Sequence, residues 1–328
     1  MPVRILREPE IRKLLDMDEA IEAVADALAA CAEGRVVLPG VINLDIDEVR
    51  GEVHVKSAFI KGSEHYVVKV ASGFYDNPGL GLPVGNGMML LFEARTGRLG
   101  GLLLDNGYVT EMRTGAAGAV AARYLAKSQV RKVGFIGSGS QARFQLMGLM
   151  RVRRPSEVWV WSLDKSLVAP YLRDMSALYP VEFREAATPR QAVEEADIVI
   201  TVTPSRSPIV RPEWLSPGVH VTAVGSDGPD KQELYPEVLA KADRVFCDSI
   251  SQCRRLGELH HALEARVIAE DRVSGELGEI VLGRKPGRLR DDEITVADLT
   301  GLGAQDAAAA ALVFRKGLQN NLGEVIEP

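Results

Sequence analysis

The middle of this sequence predicts an α/β fold organised around a doubly wound parallel sheet, and three observations carry the prediction. Between Lys132 and Asp298, short β-branched runs alternate with helical stretches: KVGFI, VWVW, VEF, DIVITVT, VHVTAVG, RVFCDS and ITVAD. These runs are apolar almost throughout, the pattern of parallel strands covered on both faces. The first run ends on Gly137-Ser-Gly139 and passes directly into a helical stretch, the strand–turn–helix junction that opens such sheets.

The elements follow in chain order. An amphipathic helix is predicted over Met17–Ala32, with Ile21, Val24, Ala25 and Leu28 on one stripe. Strand-like VHVKSAFI, HYVVKV and GMMLLFEA come next, and the GSEH and ARTGR connections suit antiparallel pairing. After Gly139 a helix sets Ala142, Leu146, Leu149 and Met150 on one face, and LVAPYLRDMSALY gives the next helix. Thr188-Pro-Arg-Gln191 marks a further helix start, a capping box with proline at the first helical position. The tail from Ala304 to Leu318 is an alanine-rich helix; its five alanines, Ala307 to Ala311 after Asp306, read as tight helix packing. Packed back on the first domain, this tail gives an α+β domain of residues 1–120 with 304–328, and a central domain of 121–303.

Composition narrows the function. A chain of 328 residues holds two domains at ~100–200 residues each. Hydrophobic residues at 46% and charged residues at 26% belong to a folded globular protein. With 39 Lys+Arg against 45 Asp+Glu the net charge is −6, which supplies no basic field for nucleic acid or an anionic membrane. No run approaches the ~20 apolar residues of a spanning helix, and the charged start MPVRILREPEIRKLL has no apolar signal core. Cys31, Cys247 and Cys253 are too few and too scattered for a disulfide framework or a zinc site. The expectation is a reduced, cytoplasmic enzyme.

The strongest local motif runs from Val133 to Ala142. Gly137 permits the tight turn, Gly139 lets backbone approach a pyrophosphate, and Ala142 allows close helix–strand contact. The helix N-terminus then offers N–H groups and the positive end of its dipole to phosphates. The second strand ends in Ser162-Leu-Asp164-Lys165. Asp164 suits the ribose hydroxyls of NAD, whereas Ser162 and Lys165 suit a 2′-phosphate, so NAD and NADP both stay open. Two further strand ends are chemically marked, Thr201-Val-Thr203-Pro204-Ser205 and Val224-Gly225-Ser226-Asp227. Asp227 by itself reads first as a turn or cap residue.

Outside this block, Lys69 sits in the apolar strand HYVVKV. Such a lysine ordinarily points to water; buried, it favours its neutral form or anchors a carboxylate. Arg113 opens a small-residue helix, where a cation works against the dipole and hints at a ligand. Lys56 and His54 alternate on the preceding strand. His260-His261 lacks a paired ligand spacing, so no metal is expected.

Lys69, Asn77-Pro78 with Gly81-Leu-Pro83, Arg113-Thr-Gly-Ala-Ala-Gly, Gly137-Ser-Gly-Ser-Gln-Ala142, Thr203-Pro-Ser205, Gly225-Ser-Asp227, Asp230-Lys-Gln-Glu-Leu234 and Asp298-Leu-Thr-Gly-Leu302 occur together and in order. In this the chain resembles the ornithine cyclodeaminase/μ-crystallin family, essentially throughout its length. The first half is similar to the ectoine-utilisation and imino-acid-reductase members, and PSRSPIV with GSDGPDKQEL to the alanine dehydrogenases.

The resemblance implies a homodimer with a central Rossmann domain binding NAD(P). Its discontinuous α+β domain would carry substrate contacts and dimerisation. It implies that Lys69 and Arg113 hold a substrate carboxylate, with His54 and Lys56 beside them, and that Lys69 and Asp227 are catalytic, Asp227 acting on the reacting nitrogen. It assigns the cofactor to Thr114, Gly137, Ser138, Gly139, Ser140, Gln141, Ala142, Ser162, Asp164, Lys165, Thr201, Thr203, Pro204, Ser205, Val224, Gly225, Ser226 and Gly301. The implied reaction is hydride transfer to a small 2-imino or 2-oxo acid, or amino-acid oxidation in reverse. The family's cyclodeaminases, which release ammonia, and its non-catalytic ligand binders are the alternatives. Two departures from the cyclodeaminases stand out: His54 aligns where they carry a glutamate, and Leu38-Pro39-Gly40-Val41 lacks their basic residue. Arg50, His54 and Lys56 offer cations instead, which points to a substrate with a second acidic group.

Overall fold

Two sheets organise the chain, one in each of two units. The computed structural model describes residues 2–327, and the units divide it at Arg113/Thr114 and again at Gly301/Leu302. The first unit begins with β1 (Val3–Arg7), α1 (Glu8–Leu14) and α2 (Met17–Ala32). Asp16 caps α2 by accepting the Glu19 N–H at 2.9 Å, and the predicted stripe Ile21, Val24, Ala25 and Leu28 is buried. Strands β2 (Val36–Val37), β3 (Ile42–Ile46), β4 (Gly51–Ile60), β5 (His65–Phe74), β6 (Gly85–Glu93) and β7 (Leu99–Leu104) follow, and then α3 (Tyr108–Leu125), within which the chain passes from the first unit to the second. Strands β4 to β7 form an antiparallel meander, as the short connections predict.

The second unit holds β8 (Lys132–Ile136), α4 (Ser140–Val152), β9 (Glu157–Trp161), α5 (Val168–Ser176), β10 (Glu182–Glu185), α6 (Pro189–Val193), β11 (Ile198–Thr201) and β12 (His220–Ala223). It continues through α7 (Glu237–Lys241), β13 (Arg244–Cys247), α8 (Ile250–Cys253), α9 (Gly257–Glu264), β14 (Val273–Glu276), α10 (Leu277–Val281) and β15 (Thr295–Asp298). All its strand pairs are parallel, in the order β10-β9-β8-β11-β12-β15-β13-β14. This is the doubly wound Rossmann arrangement. The chain leaves β8 in one direction and returns to its other side at β11, and that reversal is where such sheets bind ligands. Strands β8, β11, β12 and β15 are buried throughout, which explains why they are largely apolar, with Lys132, Thr201, His220, Thr222, Thr295 and Asp298 the exceptions. The edge strand β10, EFRE, is largely exposed and charged, as a protected edge should be.

The chain then returns to the first unit as α11 (Gly303–Gln319) and β16 (Glu324–Ile326), which pairs with β1. Helix α11 lies close on the first sheet: a Cβ on Gly303 would stand 2.7 Å from the Ser57 carbonyl oxygen of β4.

Two local expectations need correction. Thr188 accepts the Gln191 N–H at 3.2 Å, but the Gln191 side chain reaches one residue further back, to the Ala187 N–H at 2.8 Å. Arg113 does not open its helix; α3 starts at Tyr108, where Asp105 accepts the Val109 N–H at 2.8 Å. Its charge is therefore in the second turn, where the dipole opposes it little.

Candidate active site

In the first unit the pleat of β4 and β5 decides which side chains meet. Lys56 lies opposite Lys69 in the antiparallel register, and His54 opposite Ala71, so His54, Lys56 and Lys69 share one face. Lys69 is buried, 2% exposed, and does not point to water. Its Nζ lies 2.9 Å from Asp306 Oδ2 of α11, and Arg113 Nε lies 2.8 Å from Asp306 Oδ1. Arg113 also donates to Gln305 Oε1 at 3.1 Å. The alanine-rich helix thus carries an acid that the sequence reading treated only as a neighbour of its packing stripe.

The electrostatics follow from burial and crowding. Burial drives the Lys69 ammonium down to about 7; Asp306 opposes that, and Arg113 and Lys56 reinforce it. Burial pushes the Asp306 carboxyl up, but the charges of Arg113, Lys69 and Lys56 outweigh it and hold the group below its ordinary value. Asp105 is raised to about 6 by burial. Lys69 has three N–H donors and Arg113 five, more than Asp306 and Gln305 can accept. The cluster therefore has donors and positive charge to spare for a second anion.

His54 Nδ1 is 2.9 Å from Asn43 Oδ1, and its Nε2 lies 3.7 Å from Glu52 Oε1. Glu52 is two residues earlier on the same strand face and accepts the Tyr75 hydroxyl at 2.8 Å. A carboxylate thus occupies this face even though the aligned position is His54. Arg50 does not join the cluster: it pairs with Asp76 at 3.0 Å on the surface.

In the second unit the turn after β8 has the shape to take a dinucleotide. Gly137 has φ +111°, and a Cβ there would stand 2.8 Å from the Val202 carbonyl oxygen. Gly139 precedes α4 in extended backbone, and a Cβ there would meet nothing within 4 Å. The turn is closed toward the sheet and open beyond Gly139, beside the first N–H groups of α4, Ser140, Gln141 and Ala142. That is the shape a pyrophosphate needs. Arg143 holds the turn, donating to the Ser138 and Gly139 carbonyls at 3.0 and 3.2 Å and pairing with Asp174 at 2.9 Å. Ala142 is buried, and Gln141 Oε1 accepts from Gln145 at 3.0 Å. The Gln145 amide also donates to the Thr114 carbonyl at 2.9 Å.

Other predicted cofactor residues have their polar atoms committed within the chain. Asp164 Oδ1 accepts the Ser166 N–H at 2.9 Å and hydroxyl at 2.6 Å, the duty of a cap. Ser162 is buried, and Lys165 lies 3.7 Å from Glu185. Thr201 and Thr203 give their hydroxyl protons to Glu233 at 2.6 and 2.8 Å. Ser205 gives its own to the Ser207 carbonyl at 2.6 Å, and Ser226 to the Lys231 carbonyl. Each hydroxyl has one proton, so none of these four is left to donate to a cofactor. Val224 donates its N–H to the Thr201 carbonyl at 3.0 Å, Gly225 N–H donates to Glu233 at 2.8 Å, and Pro204 lies within the same pair of loops. Gly301 N–H donates to Asp248 at 2.6 Å.

Asp227 follows β12 and pairs with Lys231 Nζ at 2.8 Å. Lys231 and Glu233 had no separate role in the sequence reading, although both fall in the quoted Asp230–Leu234 motif. The histidines His260 and His261 face backbone carbonyls of Arg254 and Lys231, at 3.2 and 2.8 Å. Contrary to the expected scatter, Cys247 and Cys253 come together beside Asp298, their ligand atoms within 4.8 Å. All three are buried, and Asp298 already accepts the Leu259 N–H at 2.9 Å.

A doubly wound sheet with an open glycine turn at its reversal point defines a dinucleotide-binding α/β protein. The chain belongs to the ornithine cyclodeaminase/mu-crystallin family, whose model matches residues 3–321. Three solved structures are similar over nearly the whole length. Delta(1)-pyrroline-2-carboxylate reductase of Thermococcus litoralis, in complex with NADH and L-proline, is 32% identical with a TM-score of 0.93, covering 98% of this chain and 100% of its own. An archaeal alanine dehydrogenase dimer with bound NAD is 34% identical with a TM-score of 0.91, covering 100% and 99%. The iminosuccinate reductase of Paracoccus denitrificans, in complex with NAD+, is 30% identical with a TM-score of 0.90, covering 100% of both chains. Among the described residues no helix is long and apolar enough to cross a membrane.

Proposed function

We propose that this protein is an NAD(P)H-dependent imino-acid reductase, working in reverse as an L-amino-acid dehydrogenase, on a small 2-imino or 2-oxo acid. The buried cluster of Lys69 and Arg113 around Asp306 carries the reading, because its two cations have more donors than its own anion and Gln305 can accept. Such a cluster suits a substrate carboxylate. The similar reductases and the alanine dehydrogenase support the reaction class.

In this reading the discontinuous domain binds substrate and the central domain binds NAD(P). Gly137, Gly139 and the first N–H groups of α4 hold the pyrophosphate, and the loops at Thr203–Ser205 and Val224–Ser226 line the rest. The cofactor supplies hydride chemistry at the imine carbon. Lys69 and Arg113 clamp the substrate carboxylate, which fixes the position of that carbon. Asp227 accepts a hydrogen bond from the protonated imine nitrogen and stabilises its positive charge as it is consumed. Lys231 holds the Asp227 carboxylate in place. His54 and Lys56 set the preference for the remainder of the substrate.

The test is a panel of 2-oxo acids with ammonia or methylamine, plus cyclic imines, assayed with NADH and NADPH and with product analysis. A reductase loses nicotinamide absorbance with each turnover and yields the amino acid. One observation favours a second reading, a cyclodeaminase: Glu52 stands on the substrate face of β4. That enzyme would release ammonia with no net absorbance change.

A homodimer also fits, as in the alanine dehydrogenase dimer. The first unit leaves Ile42, Leu44, Leu80 and Leu82 more than half exposed, a costly surface for a monomer. Light scattering of an Ile42→Asp/Leu44→Asp variant should show monomers where the wild type gives dimers; unchanged dimers would place the interface elsewhere.

A further inference from the structure

We propose that Glu233 is a positioning residue, whose carboxylate fastens the loop carrying Asp227 to the loop after β11 and so sets where Asp227 stands. The proposal rests on the reductase reading only for what Asp227 does. The fastening itself is geometric. Oε1 accepts the Thr203 N–H at 2.5 Å and hydroxyl at 2.8 Å, while Oε2 accepts the Thr201 hydroxyl at 2.6 Å and the Gly225 N–H at 2.8 Å. Thr201 and Thr203 belong to one strand end and Gly225 to the next, so a single buried carboxylate spans both. Its four lone-pair positions are all used.

The surroundings leave this brace little slack. A Cβ on Gly225 would fall 2.2 Å from the Thr203 carbonyl oxygen, so the two loops touch at a position only glycine can occupy. Glu233 is itself held: its N–H donates to Glu258 at 2.8 Å, and its carbonyl accepts from Ile209 and Val210 at 2.7 and 3.0 Å. Between Gly225 and Glu233 the loop is closed on itself. Ser226 bonds the Lys231 carbonyl, Lys231 Nζ bonds Asp227, and His261 bonds the same Lys231 carbonyl at 2.8 Å. A displacement at Glu233 is therefore carried to Asp227, only two residues beyond Gly225.

Glu233→Gln keeps the shape but turns N–H groups toward two of the four donors. The expected result is a kcat at least tenfold lower at saturating substrate and NADH. Asp227→Asn should then cost much less in the Glu233→Gln background than in the wild type, because one acts through the other. A residue that only stabilises the fold would lower the melting temperature, leave kcat within twofold, and give additive losses; any of the last two results overturns the proposal. Should Glu233→Gln fail to fold, Thr201→Val removes one of the four bonds, with about a threefold loss of kcat expected and none overturning the proposal. Amide exchange across residues 224–231 should rise at least tenfold in whichever variant folds, whether or not turnover is found. Unchanged exchange overturns the brace, whereas faster exchange in a protein inactive on every imino acid overturns the reductase reading alone.

Discussion

Asp306 in the first unit and Glu233 in the second are both fully buried carboxylates, yet they are held by different means. Asp306 is met by formal charges, Lys69 and Arg113, and lies below its ordinary pKa. Glu233 is met by four neutral N–H and O–H dipoles, and burial still pushes it up to about 7. Charges at under 3 Å overcome desolvation; well-aimed dipoles only reduce it. The difference fits the proposed roles. A cluster built from full charges can exchange partners with an ionic substrate, whereas one built from dipoles fixes backbone and has no charge to lend.

The charged cluster should give the largest effects. Lys69→Met should lower kcat/KM on the order of 10²–10³-fold, the ~3–4 kcal/mol of a truncated buried ion pair, in steady-state assays of the best carboxylated substrate. An effect under threefold would mean that Lys69 only balances Asp306. Asp306→Asn comes next: it leaves two buried cations without their anion, so urea unfolding should show a loss of about 3 kcal/mol. Stability equal to wild type would show that the cations find other partners.

The same pair predicts a pH dependence. Lys69 titrates near 7, and its protonated form is the one that binds a carboxylate, so KM should rise as pH increases through 7. Removing the Asp306 charge takes away what holds that proton, so in Asp306→Asn the rise should move to lower pH. A flat profile of KM between pH 6 and 9 would contradict the assignment. At the neutral end the effects are smallest: Thr201→Val deletes one of four bonds to Glu233 and should cost about 1 kcal/mol in thermal unfolding. A cost as large as that of Asp306→Asn would erase the distinction between the two sites.

How much was legible in the sequence differs between the same two regions. The parallel sheet announced itself because strands covered on both faces are largely apolar, and β8, β11, β12 and β15 are buried throughout and mostly apolar. The Gly137–Gly139 turn was legible because Gly137, at φ +111° and against the Val202 carbonyl, sits where only glycine fits, and Gly139 leaves open space beside the helix start. Strands β1, β3, β7, β14 and β16 carried no comparable signal: β3 is mostly exposed, and β16 is an exposed edge of three residues. Asp306 was hidden by distance, since it reaches Lys69 across most of the chain and sits among alanines that explain themselves by packing. An acid set directly before a run of five alanines, in the first turn of the helix, was the available clue. Glu233 was obscured in another way, lying in a quoted motif beside the more conspicuous Asp227. The hydroxyl bonds of Thr201 and Thr203 to Glu233, and of Ser226 to the Lys231 carbonyl, were hidden because their acceptors lie on loops that no local pattern connects.

The most direct test of the central claim compares one cyclic imine with and without its carboxylate, such as 1-pyrroline-2-carboxylate and 1-pyrroline, in the presence of NADH or NADPH. If Lys69 and Arg113 clamp the acid, kcat/KM should favour the carboxylated imine by about 10³-fold or more, with one nicotinamide oxidised per amino acid formed. Equal turnover of the two imines, or consumption of the acid with no nicotinamide oxidised, would contradict it.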